Sequence, residues 1–142
     1  MLNNAITILI ILLLVWVTTQ ILQNKISESF SAEPGYIYDS VVPGPCIGII
    51  ASVHGNEPAG GLLLAKLIKE GWFTNNVKRG SVRVMATPNP IGLKMGIRSR
   101  FFKGDLNRSF YSGTNDTDAL EIIKFFEPCD VVIDFHEGWR SE

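Results

Sequence analysis

Histidine and cysteine are scarce in this 142-residue chain, which has two of each. The cysteines, Cys46 and Cys129, lie far apart, and there is no Cys-x-x-Cys pair or Cys/His cluster. That spacing excludes a cysteine-built structural zinc site. Each borders an apolar run, as small buried residues do, and a disulfide is open to them only in an oxidising setting. An excess of one charge is also lacking. Thirteen Lys and Arg stand against 14 Asp and Glu, a formal net charge of −1. Without a basic patch the chain lacks the footprint of a nucleic-acid binder, and without an acidic tail it lacks that kind of interaction segment. Internal repeats and long low-complexity segments are absent as well.

One stretch lacks charge altogether: residues 5–22, "AITILIILLLVWVTTQIL". At about 18 residues it sits near the lower limit for a membrane-spanning helix. Trp16 near its end suits an interfacial anchor. A cleaved signal peptide would need a basic start and a small-x-small cleavage site, and "MLNN" supplies no basic side chain. The sequence therefore predicts a single-pass, membrane-localised protein with a transmembrane signal-anchor over 5–22. A polar juxtamembrane linker follows over 23–36, "QNKISESFSAEPGY", and one domain over 37–142.

That domain alternates strand and helix signals. "CIGIIASV" (46–53) is an unbroken apolar run, as in a strand covered on both faces. "EPAGGLLLAKLIKEG" (57–71) carries Pro58 where a helix starts and Gly71 where it stops. "SVRVMATP" (81–88) alternates as a strand. "NDTDALEIIKFFEP" (115–128) has a capping start, helical spacing and a terminating proline. "DVVIDFH" (130–136) closes the set as another strand. The alternation predicts an α/β domain with a mixed, largely parallel sheet. In such sheets ligands gather at the carboxyl ends of strands. His54 directly follows the first of these strands and His136 ends the last.

His54 and Glu57, in "HGNE", are three residues apart where a loop enters a helix. With His136 they make a His₂Glu set, which leaves a fourth position open on zinc. By itself Glu57 is also what a helix N-terminus favours, and a lone histidine is more often a buried or loop residue. Between them lies "RFFKGDLNRSF" (100–110), where Arg108 offers a carboxylate-matching fork beside the amide of Asn107. Arg100 adds a second cation.

"GIIASVHGNEPAG", "NP", "RFFKGDLNRSF" and "VVIDFHEG" occur in this order. In that order the chain resembles the succinylglutamate desuccinylase/aspartoacylase family of the zinc carboxypeptidase superfamily. The likeness covers about residues 45–138, the N-terminal part of the catalytic domain. It implies a three-layer α/β/α hydrolase fold, here incomplete. It also implies one Zn²⁺ per chain on His54, Glu57 and His136, with Arg100 polarising the scissile carbonyl. Asn107 and Arg108 would hold the free carboxylate of a small-molecule or peptide substrate, and Asp105 would support them. The implied reaction is hydrolysis of an N-acyl amino acid amide. Alternatives are metallocarboxypeptidase-like peptide hydrolysis, or a truncated non-catalytic remnant that binds zinc and carboxylate. The family's general-base glutamate lies on a strand well downstream of the third ligand. Glu137, next to His136, would point to the opposite face of its strand, and Glu142 is terminal.

Overall fold

The computed structural model describes residues 2–29 and 35–138, with side chains in the first helix given for 6–18 and 21. The chain forms two compact units, Met1–Ser31 and Ala32–Glu142.

The first unit is a single helix, α1 (Leu2–Ser29). Helix therefore continues through 23–29, where a linker is expected; residues 30–34 lie outside the described residues. The expected transmembrane anchor needs correction. Among the described residues no helix is long and apolar enough to cross a membrane. The structure thus gives no support to the anchor, to a membrane partner or to membrane localisation.

The second unit is built on a four-stranded mixed sheet, in order β1 (Tyr36–Asp39), β3 (Ser81–Met85), β2 (Cys46–Ala51), β4 (Val131–Phe135). β2 pairs in parallel with both β3 and β4, while β1 runs antiparallel to β3. The central position of β2 explains its unbroken apolar sequence, because both of its faces are covered. Ala51 packs with Leu64, Phe73, Val84 and Ala86 on one face. Ile50 packs with Met85, Leu106, Ile122 and Phe126 on the other. Helices α2 (Pro58–Lys69) and α3 (Trp72–Asn76) supply the first layer, and α5 (Thr117–Phe126) the second. The mixed α/β expectation therefore fits, with helices on both faces of the sheet.

Local chemistry sets the element ends. Pro58 opens α2, where its missing N–H costs nothing. Gly71 takes φ 68°, the left-handed turn that separates α2 from α3. Asp116 caps α5 by accepting from the N–H groups of Asp118 and Ala119. Ala119, Ile122 and Phe126, at helical spacing, are the buried stripe of α5. α4 (Pro90–Met95) follows β3, capped by Asn89. β4 is paired only through β2 among the described residues, and Val131, Val132, Ile133 and Phe135 are exposed.

Candidate metal centre

The loop leaving β2 is shaped before any ligand is considered. Ser52 adopts φ 53°, a left-handed bend uncommon for a side-chain-bearing residue. Its hydroxyl donates to the Glu57 carbonyl at 3.0 Å, and the Glu57 N–H donates to the His54 carbonyl at 3.1 Å. Gly55 passes so close to the backbone of Gly92 in α4 that any Cβ there would overlap it. The buried Asn89 amide donates to the carbonyls of Val53 (3.2 Å) and Arg98 (3.3 Å), while its oxygen accepts from Gly92 N–H. The "NP" pair thus ties the β2 loop to α4.

This frame buries His54 and Glu57 and presents them to the end of β4. His54 Nδ1 lies 2.8 Å from Glu57 Oε1, and His136 Nδ1 lies 2.8 Å from Glu57 Oε2. The two rings are 4.7 Å apart. Each histidine has a second carboxylate on its other nitrogen: Asp105 at 3.1 Å from His54 Nε2, and Asp134 at 3.0 Å from His136 Nε2. Each ring thus lies between two carboxylates, with Glu57 on its Nδ1 side and Asp105 or Asp134 on its Nε2 side. One ligand atom from each of His54, Glu57 and His136 falls within 4.8 Å of the others. Two imidazoles and a carboxylate, each imidazole backed by a second carboxylate, is the donor chemistry of a catalytic zinc site. The residues present fit that ion.

The electrostatics follow from these contacts. Burial pushes the Glu57 carboxyl up, but bonds from His136, the Glu137 N–H and His54 outweigh it and hold it below its ordinary value. Burial pushes His136 down, yet Glu57 and Asp134 lift it above the usual histidine range. Burial of Asp105 is likewise outweighed by the Asn107 N–H, His54 and Arg98, which lower it.

Three expected site residues, His54, Glu57 and His136, are brought together. Asn107 and Arg108 sit on the 3-10 turn η1 (Leu106–Arg108), which Asp105 opens by accepting from the Asn107 N–H. Both are exposed, and Asp105 links their turn to His54. Arg100 is elsewhere. Its buried guanidinium bonds to Asp116 (2.6 and 2.8 Å), Asp118 (2.8 Å), Ser109 and the Lys103 carbonyl. Among the described residues it makes no hydrogen bond or ion pair with His54, Glu57 or His136. The arginine that does is Arg98, 3.4 Å from Glu57 Oε1 and 3.2 Å from Asp105 Oδ2. Glu137 does not face the cluster with its carboxylate. That group accepts from Ala59 N–H in the first turn of α2, while the Glu137 N–H donates to Glu57. Glu142 lies outside the described residues.

The model of the succinylglutamate desuccinylase/aspartoacylase catalytic domain matches residues 43–142. The chain belongs to this family. No curated protein matches it by sequence. Among solved structures it is similar to an aspartoacylase family protein from Mesorhizobium loti, with TM-score 0.60 and 24% identity over 72% of this chain and 34% of that one. It is similar to a succinylglutamate desuccinylase from Silicibacter sp. (TM-score 0.58, 21% identity, 74% and 33% covered). It is also similar to a metallo-carboxypeptidase from Burkholderia cenocepacia (TM-score 0.59, 20% identity, 73% and 32% covered). At these identities the likeness is one of fold. The chain spans about a third of the length of each of these proteins. The desuccinylase/aspartoacylase family is one of hydrolases, and in this chain His54, Glu57 and His136 form a group able to hold a metal ion.

Proposed function

We propose that the chain forms the metal- and carboxylate-binding part of a zinc-dependent hydrolase that cleaves the amide bond of an N-acyl amino acid. The observation that carries this reading is the convergence of both Nδ1 atoms on Glu57, with a carboxylate behind each ring. Zinc, held by His54, Glu57 and His136, would supply Lewis acidity and lower the pKa of water at the site. Asp105 and Asp134, each against an Nε2 atom, hold the two rings in orientation. The exposed Arg108 and Asn107 take the substrate carboxylate, bidentately on the arginine fork. That contact holds the acyl amide within reach of the centre. Arg98 is the cation beside the ligands. Arg100, to polarise the reacting carbonyl, has to release Asp116 and Asp118.

The test is release of free amino acid from N-succinyl and N-acetyl amino acids by the zinc-loaded chain, beside C-terminal peptide substrates. Turnover of acyl amino acids that is lost in His54→Ala supports the reading. Turnover of peptides alone moves the protein to the carboxypeptidase alternative. Bound zinc with no turnover of either leaves a zinc- and carboxylate-binding module.

A further inference from the structure

Two thiols face each other at the end of β4 remote from His136. Cys46, the first residue of β2, is buried, and Cys129, two residues before β4, is half-buried. Their Sγ atoms are 2.8 Å apart, and both are free thiols. The backbone around them is fixed on both sides. The Cys46 carbonyl accepts from Asp130 N–H at 2.9 Å, and the Cys46 N–H donates to Asp130 Oδ2 at 2.8 Å. The Cys129 N–H donates to the Phe126 carbonyl at the end of α5, also at 2.9 Å. Sheet pairing and a helix end thus hold the sulfurs in contact.

We propose that Cys46 and Cys129 are a redox pair that a small-molecule disulfide converts into an intrachain cross-link between β2 and β4. Cys129, the more accessible, loses its proton to solvent and attacks one sulfur of the small disulfide. That S–S bond breaks, one small thiolate leaves, and a mixed disulfide forms on Cys129. The Cys46 thiolate then attacks the Cys129 sulfur and expels the second small thiolate. Two protein thiols are oxidised, one small disulfide is reduced to two thiols, and the two released protons end on the leaving thiolates. Burial and the neighbouring Cys46 push the Cys129 thiol up to about 12, so the exchange is slow at neutral pH. The cross-link ties down β4, the strand that leads into His136, whose sheet pairing among the described residues is with β2 alone. Because the two cysteines are 83 positions apart in sequence, it also constrains the unfolded chain. This inference stands independently of the metal reading.

The experiment equilibrates the full chain with oxidised glutathione at mildly alkaline pH, blocks remaining thiols with N-ethylmaleimide, and maps non-reduced peptides. The expected result is joint loss of both thiols, a Cys46–Cys129 peptide in monomeric protein, and a Tm raised by roughly 10 °C that dithiothreitol reverses. Cys46→Ser is expected to stop at a glutathione adduct on Cys129. A stable adduct on wild-type Cys129, an intermolecular dimer, or two free thiols after equilibration would overturn the proposal.

Discussion

Asp134 and Asp105 decide how the two histidines are used. Each lies against an Nε2 atom at 3.1 Å (Asp105) or 3.0 Å (Asp134), so a ring that loses its carboxylate gains freedom to rotate and to change tautomer. Asp134→Asn is therefore expected to weaken zinc binding about tenfold, with the fold retained, as measured by competition with a chromogenic chelator. Unchanged affinity would remove Asp134 from the metal centre. The arginines give a second contrast. Arg98→Ala is expected to lower kcat/KM for an acyl amino acid while leaving the thermal midpoint near wild type. Arg100→Ala is expected to lower the midpoint, because Asp116 and Asp118 lose the charge they surround. Equal loss of stability in both variants would contradict this division. His54 and His136 are legible in the sequence because one follows and the other ends an apolar, strand-like run, and Glu57 because it lies three places on from His54. Asp134 is not, since an aspartate within a strand also fits a solvent-facing position. Which arginine meets the ligands is also beyond residue spacing. It depends on left-handed bends at Gly96 and Phe102 and on the Arg100–Gly104 bridge.

Among the elements, α5 combines a cap with an ion cluster. Asp116 accepts from two backbone N–H groups and from Arg100, and the Arg100 guanidinium holds its carboxyl far below the usual carboxylate range. Asp118 is also lowered, its burial outweighed by Lys103 and Arg100. Carboxyls depressed on folding stabilise the fold above their unfolded pKa and lose that contribution as pH falls. Stability should thus decline below about pH 4, and the decline should be shallower in Asp116→Asn when followed by urea denaturation across pH. Asn can still cap, whereas Asp116→Ala loses cap and charge together and is expected to cost about 2 kcal/mol at neutral pH. A pH profile in Asp116→Asn as steep as wild type would count against the cluster. β2, α2, β3, α5 and β4 all announced themselves through periodicity and end signals. β1 did not, because four residues after Pro-Gly become a strand only by antiparallel pairing with β3. α3 and α4, at five and six residues, are too short to show a helical period.

At the scale of the whole molecule, the sheet puts the β2 loop and the end of β4 side by side, and this adjacency makes a site from residues 79 apart in sequence. The same arrangement leaves the apolar side chains of β4 exposed among the described residues. The central claim is that His54, Glu57 and His136 form one metal centre. It is tested most directly by titrating zinc into the metal-free chain by calorimetry, with His136→Ala in parallel. The account predicts one zinc per chain for wild type and at least a tenfold loss of affinity in the variant. No zinc bound by wild type, or equal binding by His136→Ala, would contradict it.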